Sequence, residues 1–85
     1  MPLALVTAGP SAIGRSLVTA LAGAGHDVAF THMGQADAAE ALAGQVRGLG
    51  RAALAVESDA GDAVQVERFH AMAADWAGAA PLVMV

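Results

Sequence analysis

Alternation between short apolar runs and segments of helical period constrains the fold of this chain more than any other feature. Apolar runs occupy residues 3–7, 27–31 and 52–56, and a fourth spans residues 82–85. Short runs of this kind are typical of parallel strands, which are buried on both faces. Strands that alternate with helices at this spacing predict right-handed crossovers and an α/β fold with a parallel sheet.

The first two intervening segments carry the signals of helix ends. Ser11 precedes a predicted helix over residues 13–24, and its hydroxyl can accept a hydrogen bond from the first turn. Gly25 stands where a left-handed residue commonly ends a helix. The second predicted helix spans residues 37–48.

The third predicted helix begins after its N-cap Asp62 and is broken by residues 78–81. Each of the three helices has an apolar stripe that indicates its buried side. The stripes are Ile13, Leu17 and Leu21 with Val18 and Ala20; then Ala39, Leu42, Val46 and Leu49; then Val66, Phe69, Ala73 and Trp76. Phe69, Met72 and Trp76 are predicted to be core residues rather than a stacking surface.

Composition favours one small globular domain over residues 1–85 and excludes several kinds of partner. The net charge is −4, and the scattered arginines form no basic patch, so nucleic-acid binding is not expected. No apolar stretch reaches the roughly 18 residues of a membrane helix, and no basic segment precedes an apolar one as in a signal peptide. With no cysteine, disulfides and thiolate metal sites are excluded, and we expect a cytoplasmic protein.

The segment TAGPSAIG, residues 7–14, links the first strand to the first helix. A loop at this place can bind an anion, because a helix N-terminus offers unpaired backbone N–H groups and small residues allow close approach. The segment resembles the TGxxxGIG cofactor loop of the short-chain dehydrogenase/reductase family. Thr7, Ile13, Gly14 and Arg15 match, whereas Ala8 and Ala12 stand where the family has its first two glycines.

The resemblance extends over the whole chain. Residues 20–30 resemble the family's first helix and second strand, residues 49–62 its third strand, and residues 81–85 its fourth. It implies a Rossmann-type sheet with strand order 3-2-1-4 and helices on both faces, the first two on one face and the third on the other. The family fold continues beyond this point, so the resemblance describes a fold truncated after the fourth strand.

In the family this region binds NAD or NADP. The resemblance implies a cofactor site at Thr7, Gly9, Ser11, Ile13, Gly14, Asp59 and Ala60. Asp59 would contact the adenine, with the backbone N–H of Ala60 beside the ring. Two alternatives remain: the loop can be a tight turn that keeps only the family's shape, and Asp59 can cap the turn before the third helix.

The choice between NAD and NADP depends on the loop after the second strand. In dinucleotide-binding folds, a carboxylate about 20 positions past the glycine loop accepts a hydrogen bond from the ribose 2′-hydroxyl of NAD. An arginine there favours the 2′-phosphate of NADP instead. Thr31, His32 and Met33 occupy that place, and none is a carboxylate or an arginine. His32 can contact a 2′-phosphate when it is protonated. The absence of a repelling carboxylate therefore favours NADP slightly.

No catalytic residue is predicted. The family interconverts an alcohol and a ketone with a Ser, a Tyr and a Lys that lie further along its sequence, and this chain contains no tyrosine and no lysine. The family's fourth strand is followed by two asparagines, and Met84 and Val85 stand at their positions in this sequence. We therefore expect the 85 residues alone to have no dehydrogenase activity, because the acid–base partner is missing.

Other chemistry is not favoured by the remaining polar residues. Glu57 and Asp59 share a strand face and are either an acid–base pair or solvated charges. His26, His32 and His70 lack the spacing of metal ligands.

Two other classes of function remain open. The chain can be a non-catalytic module that pairs with a related chain, or a fragment whose catalytic half is elsewhere. An exposed fourth-strand edge and a half-covered sheet face predict a homo-oligomer or a partner chain.

Overall fold

The computed structural model describes residues 3–7, 11–59, 61–78 and 81–84, the last range by its backbone alone. Its elements in chain order are β1 (Leu3–Val6), α1 (Ala12–Gly23), β2 (Asp27–His32), α2 (Ala36–Gly48), β3 (Ala53–Glu57), α3 (Ala63–Ala77) and β4 (Pro81–Met84). The alternation predicted from the apolar runs is confirmed, with most boundaries displaced by about one residue. Ala8, Gly9, Pro10, Ala60 and Val85 lie outside the described residues.

The strands form one parallel sheet in the order β3-β2-β1-β4. β1 lies between β2 and β4, and all four of its residues are buried, as expected for an apolar run without alternation. β3 pairs with β2 from Val28 opposite Ala53 to His32 opposite Glu57. Parallel pairing brings the carboxyl ends of β1, β2 and β3 to one edge of the sheet.

Helices cover both faces of the sheet, as predicted. On one face α1 and α2 bury a cluster that includes Val18, Val28, Phe30, Leu42 and Val46. On the other face α3 contributes Phe69 and Ala73, which pack with Leu3, Leu5 and Ala29. Leu54 and Val56 of β3 are only partly buried on the α3 face, so this helix covers β1 and β2 better than the edge strand. No helix in the described ranges is long and apolar enough to cross a membrane.

The helix ends follow the local chemistry of the sequence. Ser11 caps α1, and Asp62 caps α3 by accepting a hydrogen bond from the N–H of Val64 at 2.9 Å. Gly25 and Gly78, which follow α1 and α3, have φ angles of 97° and 67°. Only glycine adopts this left-handed conformation without steric cost, so both helices end where the sequence predicted.

Each of the three predicted apolar stripes is wrong in part. Ile13 is 76% exposed, and the buried side of α1 is Gly14, Val18 and Ala22. These positions recur every four residues and each lies one residue after a position of the predicted stripe. The face that α1 buries therefore differs from the predicted face by about 100° around the helix axis. Leu17 lies beside them and is partly buried.

At the end of α2, Leu49 is the C-cap and is 55% exposed. The chain has already left the helix at this residue, so its side chain no longer follows the face that holds Leu42 and Val46 against the sheet.

The prediction that Met72 and Trp76 are core residues is also wrong. Met72 is 49% and Trp76 39% exposed. Phe69, Ala73 and Ala77, spaced by four, contact the sheet instead. Met72 precedes Ala73 by one residue, which turns its side chain by about 100° around the helix and away from the sheet.

Candidate functional site

The predicted site residues converge at the carboxyl edge of the sheet. Thr7 follows β1, His32 ends β2, and Asp59 lies two residues after β3. In open α/β sheets, ligands bind in the crevice outside the carboxyl ends of the strands. Gly9 and Ala60, which complete the predicted site, fall outside the described residues.

The N-terminus of α1 opens onto this edge. Ser11 has an extended backbone, and its Oγ accepts a hydrogen bond from the N–H of Gly14 at 3.0 Å. The first intrahelical bond runs from Arg15 N–H to the Ser11 carbonyl at 2.8 Å. The N–H groups of Ala12 and Ile13 therefore have no acceptor within the helix.

The charge and exposure of this helix end suit an anion. No acidic residue occupies the first turn of α1, so nothing there opposes the positive end of the helix dipole. Ser11, Ala12 and Ile13 are exposed, while Gly14 is buried beneath them. An exposed helix N-terminus without a negative charge in its first turn is a suitable place for a pyrophosphate.

His32 and Ser58 meet at the ends of β2 and β3. The His32 carbonyl accepts a hydrogen bond from the N–H of Ser58 at 2.9 Å, and the two residues are only 9% and 6% exposed. Among the described residues, His32 Nδ1 and Ser58 Oγ are buried side-chain atoms without a hydrogen-bond partner. Buried polar atoms normally have hydrogen-bond partners. These two atoms could therefore bind a polar group or a water molecule at this edge of the sheet.

Asp59 holds the turn between β3 and α3. Its Oδ1 accepts a hydrogen bond from the N–H of Gly61 at 2.8 Å, and its own N–H donates to Gln65 Oε1 at 2.8 Å. The turn role left open by the sequence is therefore present. The adenine contact stays a prediction, to which the second carboxylate oxygen of Asp59 would contribute.

A carboxylate that the sequence argument did not place in the site comes from β3. Glu57 Oε1 accepts a hydrogen bond from the N–H of Gly34 at 3.3 Å, in the loop between β2 and α2. Register explains this contact, because Glu57 lies opposite His32. Asp59 accepts from Gly61 instead, so the two carboxylates bind different N–H groups. The only signal in the sequence was the position of Glu57 at the end of a strand adjacent to β2.

An open groove of about 230 Å³ lies between β3 and α3. Its lining mixes apolar and polar side chains: Val56, Glu57, Ser58, Gln65, Arg68, Phe69 and Met72. Within the part of the chain that the structure describes, no three His, Asp or Glu side chains lie close enough together to hold a metal ion.

A parallel sheet with helices on both faces, and with a helix N-terminus opening onto its carboxyl edge, defines a Rossmann-like domain. The family model for short chain dehydrogenase matches residues 2–82. The chain therefore belongs to the short-chain dehydrogenase family, and the family resemblance of the sequence is confirmed. No curated protein matches it.

Solved structures of the family superpose closely on this chain. A short-chain dehydrogenase/reductase from Serratia marcescens is 34% identical with a TM-score of 0.90. A short chain dehydrogenase from Burkholderia cenocepacia in complex with NADP is 34% identical with a TM-score of 0.91. A blue fluorescent protein from a metagenomic library, in complex with NADPH, is 32% identical with a TM-score of 0.89. Each match covers 96% of this chain and 34% of the other, so the chain spans about a third of their length.

Proposed function

We propose that residues 1–85 form a single dinucleotide-binding domain of an NAD(P)-dependent oxidoreductase that interconverts an alcohol and a ketone. The observation that carries the proposal is the exposed N-terminus of α1, which follows the interior strand β1 and has no acidic residue in its first turn. Family membership supports it, as do the relatives that were solved with NADP and NADPH. A dinucleotide supplies the pyrophosphate that this helix end suits.

Each part of the cofactor has residues to hold it in this proposal. The pyrophosphate would bind along residues 9–14, where Ser11, Ile13 and Gly14 form the first turn of α1. Thr7 would support that loop from the end of β1. When bound, the nicotinamide ring donates or accepts a hydride.

The adenosine half would lie further along the same edge. The adenine would lie near Asp59 and Ala60, and the ribose near His32, whose unpartnered Nδ1 can donate to or accept from a polar group. These contacts would place the cofactor across the ends of β1, β2 and β3.

Turnover needs groups that these 85 residues lack. The chain contains no tyrosine, and its four basic residues are all arginine, so it has no lysine. A proton donor or acceptor at the substrate oxygen must then come from residues outside this sequence. The proposal for the 85-residue chain is therefore binding of the dinucleotide without turnover.

Titration calorimetry of the purified chain with NAD, NADP, NADH and NADPH tests the proposal. We expect saturable binding of at least one oxidised and one reduced form, and no change in absorbance at 340 nm when an alcohol or ketone is added. Absence of binding for all four nucleotides by a folded sample would reject the binding role. Cofactor-dependent turnover would reject the proposal that the 85-residue chain is catalytically inactive.

Pairing with a related chain is the second candidate function. Val64, Met72 and Trp76 are exposed apolar side chains spaced along α3, and none of them belongs to the set of residues proposed to bind the cofactor. Exposed apolar surface of this kind is common where proteins associate. Light scattering of the chain at micromolar concentration, with and without a full-length short-chain dehydrogenase, tests this candidate. A single monomeric species in both samples would exclude it.

A further inference from the structure

We propose that Glu57 discriminates against the 2′-phosphate of NADP, and that it does so from β3 rather than from the end of β2. This inference rests on the proposed binding of a dinucleotide at the carboxyl edge of the sheet. Residues 31–33, at the end of β2, include neither the carboxylate nor the arginine that usually makes this selection.

The position of Glu57 follows from the register of β3 on β2. Glu57 lies opposite His32, the last residue of β2, so its side chain reaches the loop that follows β2. Its Oε1 accepts a hydrogen bond from the N–H of Gly34 at 3.3 Å. Glu57, 23 positions from Gly34 in sequence, thus supplies a carboxylate to the loop that would contact the adenosine ribose.

The contact with Gly34 removes a donor that a phosphate would use. Gly34 has a left-handed φ of 69° in the loop after β2, and its N–H donates to Glu57. An anion arriving at this loop finds the N–H occupied and a negative charge beside it. Two like charges at a few ångströms repel each other, and the repulsion is stronger for a doubly charged phosphate than for a neutral hydroxyl.

Glu57 forms no ion pair among the described residues. Its side chain accepts a hydrogen bond from the backbone N–H of Gly34, which lies between Met33 and Gln35 in the chain. Arg68 lines the same groove but forms no ion pair with Glu57. The ribose 2′-hydroxyl of NAD can donate to a carboxylate, so the same residue is compatible with NAD.

The test compares NAD and NADP binding to the wild-type chain and to Glu57→Gln. Glutamine keeps an oxygen that accepts from Gly34 N–H but carries no charge. We expect the dissociation constant for NADP to fall roughly threefold to tenfold, with that for NAD nearly unchanged. Glu57→Arg should lower the NADP constant further, because an arginine accommodates the 2′-phosphate. In 1 M salt the effect of Glu57→Gln should shrink, since exposed charges are screened.

Glu67→Gln is the matched control, because Glu67 is an exposed carboxylate on α3 whose removal changes the net charge equally. An NADP-to-NAD affinity ratio that is the same in wild type and Glu57→Gln would overturn the inference while leaving the proposed function standing. An equal shift in Glu67→Gln would also overturn it, because net charge alone would then explain the effect. Failure of wild type and both variants to bind either nucleotide would reject the proposed function, and this inference with it.

Discussion

The hydroxyl of Ser11 accepts a hydrogen bond from the N–H of Gly14 at 3.0 Å, so the first turn of α1 is closed by the residue that precedes it. This contact satisfies one of the four N–H groups that a helix leaves without intrahelical acceptors. The N–H groups of Ala12 and Ile13 have no acceptor within the helix either. The cap therefore fixes the helix start and uses only one donor of the first turn.

Ser11→Ala should lower the free energy of unfolding by about 1 kcal/mol, because the N–H of Gly14 loses its acceptor. Ser16→Ala is the matched control. Its hydroxyl lies on the exposed side of the same helix, with a 3.3 Å hydrogen bond to the Ala12 carbonyl. Urea unfolding followed by circular dichroism measures both. Equal effects of the two substitutions would show that the cap does not stabilise α1.

Ala12→Gly should tighten dinucleotide binding, because it removes a methyl group from the first helical residue, where the family has glycine. The expected change is roughly threefold to tenfold in the dissociation constant, measured by calorimetry. Ala20→Gly, at an exposed position further along α1, controls for the general cost of glycine in a helix. Affinity that is unchanged in Ala12→Gly, or improved as much in Ala20→Gly, would contradict the pyrophosphate position.

Asp59 has a turn role that the structure shows and an adenine role that is proposed, and two substitutions separate them. Asp59→Asn keeps an oxygen for the N–H of Gly61 and should leave the free energy of unfolding within about 0.5 kcal/mol of wild type. It should still weaken dinucleotide binding, by roughly 1 kcal/mol, since the carboxylate is lost. Asp59→Ala should lower both stability and affinity. Wild-type affinity in Asp59→Asn would mean that Asp59 acts only in the turn.

Phe69→Ala should cost about 3–4 kcal/mol, because Phe69 is 2% exposed and is the largest α3 side chain in the core on that face. A domain of this size has only about 5 kcal/mol to lose, so the variant should be close to unfolding at 25 °C. Met72→Ala on the same helix removes a half-exposed side chain and should cost less than about 1 kcal/mol. Thermal unfolding of both variants checks the correction that α3 buries Phe69 and not Met72.

The ends of the helices and the order of the elements were predictable from the sequence because they depend on neighbouring residues. Ser11 and Asp62 accept hydrogen bonds from N–H groups two or three positions away, and Gly25 and Gly78 adopt a backbone conformation that other residues avoid. The apolar runs specified parallel strands for the same reason, since burial on both faces requires apolar residues throughout.

The burial of particular side chains and the composition of the candidate site were decided by the tertiary structure. Whether α3 presents Phe69 or Trp76 to the sheet depends on the rotation of the helix against β1 and β2, which helical periodicity alone left ambiguous. Residues 31–33 contain no carboxylate, yet the pairing of β3 with β2 brings Glu57 to Gly34 across 23 residues. Hydrogen bonds and turns between neighbours are fixed by local chemistry, whereas contacts between distant residues depend on strand register and helix packing, which arise only when the whole sheet forms.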